Sequence, residues 1–245
     1  MKRIISIIAA GILFPLIASA QDWANTARYA QENKLVSVKP KAVFMGDSIT
    51  QCWPDSDPTF FTDNNFLCRG ISGQTTSHML CRFRKDVLAL APEYVVILGG
   101  TNDIALNNGP MSVEDIYNNI ISMCEIATVN GVVPVICSVL PSKGYHWRPE
   151  VTDVGDQIIE LNAMLKDYAT RNQVLYVDYH SVMKDAENGL PEDLSYDGCH
   201  VTLKGYKIME EIVFRGVALS TLSKVKYDIF SKHYNGNYKK DKFYF

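Results

Sequence analysis

The sequence predicts an α/β protein, a three-layer α/β/α sandwich in which helices cover both faces of a central five-stranded parallel sheet. Short apolar runs recur along the chain, and segments with apolar residues at helical spacing lie between them. The clearest run, Tyr94–Leu98, is entirely apolar or aromatic, as expected for a strand buried on both faces. Strands that alternate with helices indicate βαβ units, whose strands are parallel.

Five segments have the composition expected of these strands. The first follows the turn-like Lys39-Pro40-Lys41 and leads into Gly46 and a polar cluster. The fourth contains Pro134, which has no backbone N–H and must therefore lie near the start of its strand or at a sheet edge. The predicted strands are residues 42–45, 66–70, 94–98, 132–139 and 174–177.

Helical spacing of apolar residues predicts helices between and around these strands. Residues 22–38, mixed polar and apolar, are expected to form a helix over one end of the sheet. Ser112 and Asp115 are a capping signal for a helix that Asn130-Gly131 ends. Thr202 opens the last helix. The inward stripes of the four helices after the first are Met79, Leu80, Phe83, Val87 and Leu90; Val113, Ile116, Ile120, Met123, Cys124 and Ala127; Ile158, Leu161, Leu165 and Tyr168; and Tyr206, Met209, Ile212, Val213 and Val217.

Residues 1–20 are predicted to be a signal peptide. Lys2 and Arg3 precede an almost wholly apolar run, and Ala18-Ser19-Ala20 fits the small-x-small cleavage pattern. The alternative, a membrane anchor, is disfavoured because the apolar run is shorter than the ~20 residues that a spanning helix needs. We therefore expect an exported protein that begins at Gln21, acts in the periplasm or outside the cell, and is not stably inserted in a membrane after cleavage.

Residues 21–245 are predicted to form a single domain, with a basic, aromatic C-terminal extension over about residues 222–245. An α/β domain of this length need not divide. Without Lys2 and Arg3 the chain has 22 basic and 27 acidic side chains, a net charge of −5. This charge favours solubility and gives no support to a nucleic-acid partner. The oligomeric state stays open.

Polar clusters follow the first three predicted strands and precede the last helix. Parallel strands end at one edge of the sheet, where ligands bind in open α/β folds, so we expect these clusters to share a crevice. A serine hydroxyl becomes nucleophilic when a histidine takes its proton and a carboxylate holds that histidine. The sequence therefore predicts a catalytic triad of Ser48, His200 and Asp197. The candidate oxyanion-hole donors are the side-chain amide of Asn102 and the backbone N–H groups of Gly73 and Ser48.

Four short motifs resemble the blocks of the SGNH (GDSL) hydrolase family, in the same order and across nearly the whole mature chain. They are Gly46-Asp47-Ser48-Ile49, Gly70-Ile71-Ser72-Gly73-Gln74-Thr75, Gly100-Thr101-Asn102-Asp103 and Asp197-Gly198-Cys199-His200. The resemblance implies the flavodoxin-like SGNH hydrolase fold and an esterase with Ser48 as nucleophile, His200 as base and Asp197 as its partner. It also implies an oxyanion hole that includes Gly73 and Asn102, and neither a metal nor an organic cofactor.

The aromatic loop, Tyr145-His146-Trp147-Arg148, follows the fourth strand on the same edge of the sheet. Its rings can stack on a sugar and Arg148 can meet an acidic group; alternatively, the loop is anchored by its own aromatic side chains. No long apolar segment suits a lid for lipid aggregates. The sequence therefore favours a small-molecule or saccharide ester as substrate, with Trp147, Arg148 and Tyr145 as substrate-binding candidates.

The resulting hypothesis is an exported serine esterase that hydrolyses short-chain acyl esters, in particular O-acetyl groups on carbohydrate, through an acyl-enzyme. One alternative is a lysophospholipase or another lipid-directed esterase. A second alternative is a non-catalytic carbohydrate-binding protein on a hydrolase scaffold. The second is disfavoured because none of the four motifs is broken.

Six cysteines in an exported chain allow disulfides, and their spacing matches no zinc site. Cys124 and Cys137 lie on predicted core faces and are interpreted as buried thiols. Cys52 and Cys199 each lie within four residues of a candidate catalytic residue, so a bridge near the site is left open. The histidines other than His200 have no metal-ligand spacing.

Overall fold

The computed structural model describes residues 22–217. The strands are β1 (Ala42–Gly46), β2 (Phe66–Gly70), β3 (Tyr94–Leu98), β4 (Val133–Cys137) and β5 (Leu175–Val177). They form one parallel sheet in the order β2-β1-β3-β4-β5, flanked by helices, so the predicted α/β/α sandwich is confirmed. The predicted signal peptide, residues 1–20, and the C-terminal extension, residues 222–245, lie outside the described residues.

Each strand lies where the sequence predicts it, within two residues at either end. β1 and β3 are neighbours in the middle of the sheet and are buried along their whole length. Pro134 is the second residue of β4 and pairs with Val95 of β3, which agrees with its expected place near the start of a strand.

Two helical layers enclose the sheet. α5, α7 and α8 pack side by side in one layer. In the other layer the short helices after β1 pack against α10, since the Trp53 and Tyr206 rings stack at 5.3 Å. Within residues 22–217 the helices are α1 (Ala30–Leu35), α2 (Ser48–Gln51), α3 (Trp53–Ser56), α4 (Pro58–Thr62), α5 (Thr76–Asp86), α6 (Thr101–Ile104), α7 (Val113–Val129), α8 (Val154–Asn172), α9 (Tyr179–Met183) and α10 (residues 203–217), with a 3-10 turn at Leu88–Leu90.

The N-terminal segment differs from the prediction. Within residues 22–38 only α1 is helical, and turns precede it. The Asp22 carboxylate accepts hydrogen bonds from the Thr26 hydroxyl and the Ala27 backbone N–H, and Asn25 has a φ of 50°. Such local side-chain bonds compete with helix formation, so the prediction of one continuous helix was wrong.

Aromatic side chains fix the helix that follows β1. Phe44 of β1 packs edge-on against Trp53, with ring centroids 5.6 Å apart. The Trp53 indole N–H donates to Glu210 at 3.1 Å, and the Tyr206 hydroxyl donates to the Ile49 carbonyl at 2.7 Å. Buried Trp and Tyr side chains gain both packing and a satisfied polar group in this way. The sheet and α10 therefore both hold the short helices α2 and α3: Trp53 of α3 contacts both, and Ile49 of α2 is bonded to α10.

The end of β2 passes very close to the same helix. A Cβ atom added to Gly70 would lie 2.3 Å from the Gln51 nitrogen and 2.7 Å from the Asp47 carbonyl oxygen. Both neighbours are backbone atoms, so neither can turn aside as a side chain can. Glycine at this position lets β2 and α2 approach backbone to backbone.

We expect Gly70→Ala to lower the free energy of unfolding by about 1–3 kcal/mol, because the added methyl overpacks a contact between two backbone segments. Urea denaturation measures this change. Gly144→Ala is the matched control, since a Cβ there meets nothing within 4 Å. If the two variants lose equal stability, the close approach does not constrain the fold.

Candidate active site

The structure brings the predicted site residues to one edge of the sheet. Ser48 is the first residue of α2, directly after β1, and Asp47 caps that helix by accepting the Ile49 N–H at 3.0 Å. Asn102 lies in α6, just after β3. Gly73 lies in the loop after β2, which we call the glycine loop (residues 71–75).

Ser48, His200 and Asp197 form a continuous hydrogen-bonded chain. The Ser48 Oγ lies 2.9 Å from His200 Nε2, and His200 Nδ1 lies 2.8 Å from Asp197 Oδ2. An ionised carboxylate can only accept, so Nδ1 carries the proton and Nε2 of the neutral ring is free to accept from the serine hydroxyl. This tautomer is the one that can remove the Ser48 proton.

Asp197 is held in its ionised form. Burial alone would raise the pKa of its carboxyl, but hydrogen bonds from the His200 ring and from the backbone N–H groups of His200 and Cys199 outweigh burial and lower it. The two N–H groups donate to Oδ1 at 2.7 and 2.9 Å, while Oδ2 faces the ring. The Ser195 hydroxyl closes the same turn by donating to the His200 carbonyl.

The glycine loop is fixed by its neighbours. The Ser72 N–H donates to the Gln51 side chain at 2.8 Å, so the loop is tied to α2. Gly73 has a φ of 75°, a left-handed conformation that favours glycine. A Cβ at Gly73 would meet no protein atom within 4 Å, so the backbone conformation, rather than crowding within the protein, requires glycine here.

The Asn102 side chain is engaged at both ends. Its amide nitrogen lies 3.1 Å from the Gln74 carbonyl and 3.3 Å from the Asp47 carboxylate. Its amide oxygen accepts from the Asn107 side chain at 2.6 Å. Asn102 therefore connects the segment after β3 to the glycine loop and to the start of α2.

Two carboxyls are buried beneath the site. Burial raises the pKa of Asp47 to about 6, and the nearby Asp103 adds to the rise. Burial also raises the pKa of Asp103 to about 6, against the lowering effect of hydrogen bonds from Thr76. Thr76 donates to Asp103 through both its backbone N–H and its hydroxyl. Asp103 thus braces the start of α5 against the segment after β3.

The aromatic loop packs onto the same edge. Tyr145 is buried and stacks on Trp147 at 4.9 Å between ring centroids. The Trp147 ring lies 6.2 Å from the His200 ring, and its indole N–H donates to Asn107 at 3.2 Å. Arg148 faces Glu150, with 3.7 Å between their charged atoms. The loop is thus anchored in part by its own aromatic side chains, and Trp147 also lies beside His200.

Three residues at the site were not foreseen from the sequence. Arg82 and Asp86 are buried and paired at 3.1 Å on the inward face of α5. The sequence does contain a signal for this pair, because Arg82 and Asp86 are opposite charges four residues apart. They also lie beside Phe83 and Val87 of the apolar stripe. Asn107 had no such signal, because Asn107-Asn108-Gly109 reads as an ordinary turn.

All six cysteines lie within the described residues and are free thiols, so Cys52 and Cys199 form no bridge. Cys124 and Cys137 are buried, as predicted. Within residues 22–217, no three His, Cys, Asp or Glu side chains are grouped so that they could hold a metal ion. Among the described helices, none has the length and apolar character needed to cross a bilayer.

The sequence matches the model of the GDSL-like lipase/acylhydrolase family over residues 44–208, a stretch that includes the whole site. The chain belongs to this family. Its members are acylhydrolases and esterases, which fits a serine–histidine–aspartate chain at the sheet edge.

The chain is also similar to individual proteins. The crystal structure of a GDSL-like lipase from Bacteroides thetaiotaomicron VPI-5482 has a TM-score of 0.78 and 39% identity, covering 80% of this chain and 98% of that one. An uncharacterized lipoprotein of Bacillus subtilis (strain 168), YqeF, is 27% identical over 180 residues, 63% of this chain and 74% of its own. The acetylxylan esterase of Geobacillus stearothermophilus is 21% identical over 204 residues, 72% of this chain and 93% of its own.

Asp103→Asn should change the pH dependence of stability. A carboxyl whose pKa is about 6 in the folded protein, against an ordinary 3.8, stabilises the fold fully below pH 4 and loses that stabilisation as the pH rises towards 6. Asparagine does not titrate. The cost of the substitution in urea denaturation should therefore be larger at pH 4.5 than at pH 7, by on the order of 1–2 kcal/mol. An equal cost at both pH values would contradict the raised pKa.

Proposed function

We propose that this protein is an exported serine esterase that removes short acyl groups, in particular O-acetyl groups, from carbohydrate. The observation that carries the proposal is the hydrogen-bonded chain from Ser48 through His200 to Asp197 at the carboxyl edge of the sheet. In this proposal residues 1–20 are a signal peptide and residues 21–245 are one hydrolase domain. Similarity to a bacterial lipoprotein supports export.

The triad acts in two steps. His200 Nε2 takes the Ser48 proton as Oγ attacks the ester carbonyl, and the imidazolium that forms is stabilised by Asp197. The protonated histidine then gives the proton to the departing alcohol oxygen, which leaves an acyl group on Ser48. A water molecule, deprotonated by the same nitrogen, hydrolyses this acyl-enzyme and restores the serine.

The oxyanion hole of the proposed mechanism combines the backbone N–H groups of Ser48 and Gly73 with the Asn102 amide. The position of Ser48 at the start of a helix and the exposed turn at Gly73 support these backbone roles. The Asn102 nitrogen has two hydrogens, and its present acceptors lie at 3.1 and 3.3 Å, at the long end of the hydrogen-bond range. A negatively charged oxygen can therefore compete for one of them.

A saccharide substrate is supported by two observations. Trp147 lies beside the His200 ring and offers an aromatic surface at the site, backed by Tyr145. A sequence relative of this chain is an acetylxylan esterase. Arg148 is retained as a further substrate-binding candidate, although Glu150 is its neighbour in this structure. The lipid-directed alternative draws support from the family, whose description includes lipases.

Ser48→Ala should reduce kcat on 4-nitrophenyl acetate by roughly 10⁴-fold or more, because the nucleophile is removed, and His200→Ala should cost a similar factor. Ser56→Ala is the matched control: the Ser56 hydroxyl donates to the carbonyl of Cys52, the N-cap of its own helix, and the activity of the variant should equal that of the wild type.

A fluorophosphonate probe followed by mass spectrometry identifies the reacting residue in the same experiment. The wild type and Ser56→Ala should be labelled on Ser48, and Ser48→Ala should not be labelled. Undiminished turnover by a folded Ser48→Ala variant would overturn the mechanism, and an inactive, unlabelled wild type would favour the non-catalytic carbohydrate-binding alternative.

Trp147→Ala should lower kcat/KM on acetylated xylooligosaccharides relative to that on 4-nitrophenyl acetate by about ten-fold, because only the saccharide stacks on the ring. Taking the ratio cancels any loss in the chemical step that both substrates share. Trp147→Phe keeps an aromatic face and should preserve most of the ratio.

An unchanged ratio in Trp147→Ala would show that this residue does not bind the sugar. A series of nitrophenyl esters separates the remaining enzymatic alternative. Activity should peak at acetyl or propionyl and fall by octanoyl, because a small acyl pocket must overpack to accept a long chain. A preference for octanoyl or longer esters would support the lipid-directed esterase instead.

A further inference from the structure

We propose that Asn107 is a positioning residue that fixes the orientation of the Asn102 amide and couples it to Trp147. The proposal rests on the proposed function, in which Asn102 donates to the oxyanion. It is built on three side chains in series: Trp147 donates to Asn107 at 3.2 Å, Asn107 donates to Asn102 at 2.6 Å, and Asn102 donates to the Gln74 carbonyl at 3.1 Å.

In this series of hydrogen bonds, the groups at the two ends determine which atom donates and which accepts. An indole N–H can only donate, so the side of Asn107 that faces Trp147 must be its oxygen, and its NH₂ must face Asn102. At the other end a backbone carbonyl and the Asp47 carboxylate can only accept, which requires the NH₂ of Asn102 on that side. Both amide orientations therefore follow from partners whose own roles are unambiguous.

A backbone hydrogen bond holds Asn107 beside Asn102. Its N–H donates to the Asn102 carbonyl at 3.0 Å, which closes a tight turn after α6. Leu106 within this turn and Gly109 just after it have φ values of 56° and 85°, both left-handed. A non-glycine residue in that region is strained, and the turn nevertheless returns Asn107 to the side of Asn102. Asn107 is half-buried, whereas its neighbour Asn108 is exposed.

Without Asn107 the Asn102 amide oxygen loses its donor, and only the two acceptors at the nitrogen end, at 3.1 and 3.3 Å, still set the orientation of the amide. A half-turn of the amide would exchange nitrogen for oxygen and present an acceptor, rather than a donor, to the developing oxyanion. A donor correctly aimed at that charge lowers the barrier only in the transition state, so its loss reduces kcat with little effect on KM. Donation to the Asn102 oxygen also polarises the amide and makes its N–H groups stronger donors.

A double-substitution cycle on 4-nitrophenyl acetate tests the coupling. Asn107→Ala in the wild-type background should lower kcat by roughly ten-fold to hundred-fold, less than the loss of the donor itself, with KM within about three-fold. In an Asn102→Ala background the same substitution should cost less than about two-fold, because the residue it positions is gone. Asn107→Asp, which keeps the shape but has no donor, should be at least as impaired as Asn107→Ala.

Two controls separate positioning from folding. Asn108→Ala removes the adjacent asparagine, whose side chain accepts from Trp23 at 3.2 Å, and should leave kcat within two-fold of the wild type. Thermal unfolding of every variant checks that the fold is retained. If Asn107→Ala costs the same factor with and without Asn102, Asn107 does not act through Asn102 and the proposal is wrong.

A measurement that does not depend on enzymatic activity tests this proposal separately from the proposed function. In ¹⁵N–¹H spectra of the whole protein, the side-chain NH₂ signals of Asn102, identified by their absence in Asn102→Ala, should shift in Asn107→Ala and Asn107→Asp but not in Asn108→Ala. Failure of ester hydrolysis in the wild type would reject the esterase function alone. If the Asn102 signals do not shift in the Asn107 variants, the positioning role of Asn107 is rejected, whatever the activity.

Discussion

The guanidinium of Arg82 connects the end of β1 to the glycine loop, and the rest of the site depends on that connection. It is fully buried and donates to the Gly46 carbonyl at 2.9 Å, to the Gln74 side chain at 2.6 Å and to Asp86 at 3.1 Å. Gly46 precedes the segment that presents Ser48, and the Gln74 carbonyl accepts from Asn102. A buried charge with every partner in place is tolerated, whereas removing one partner leaves a strongly unfavourable group. One side chain thereby sets the relative position of two parts of the site.

The same edge of the sheet contains buried carboxyls that lower the stability of the fold when they are ionised. The raised pKa values of Asp47 and Asp103 mean that each carboxyl is less favourable as a charge inside the protein than in water. Their hydrogen bonds hold the start of α2 and of α5, so this cost accompanies accurate positioning. The sheet beneath, with β1 and β3 buried on both faces, supplies the apolar burial that offsets it.

The accuracy of the sequence predictions varied with the physical origin of each element. β3 was placed to the residue because a strand covered on both faces must be apolar throughout. α7 begins and ends at the caps that Ser112 and Asn130 signal. The N-terminal segment was assigned wrongly because hydrogen bonds to the Asp22 side chain, which periodicity does not register, favour turns over a helix.

The sequence by itself determined the fold class and the residue types at the sheet edge, because parallel strands must end together and the polar residues after them must meet. It thereby placed Ser48 and Asn102 in one candidate site, and the motif before the last helix added His200 to them. Only the tertiary structure decided how these residues are held. Arg82 donates a hydrogen bond to the Gly46 carbonyl, Trp147 donates to Asn107, and Asn107 donates to Asn102. Such bonds depend on the distance and direction of side chains from separate elements. Local periodicity records only whether a position faces the core, so it cannot specify them.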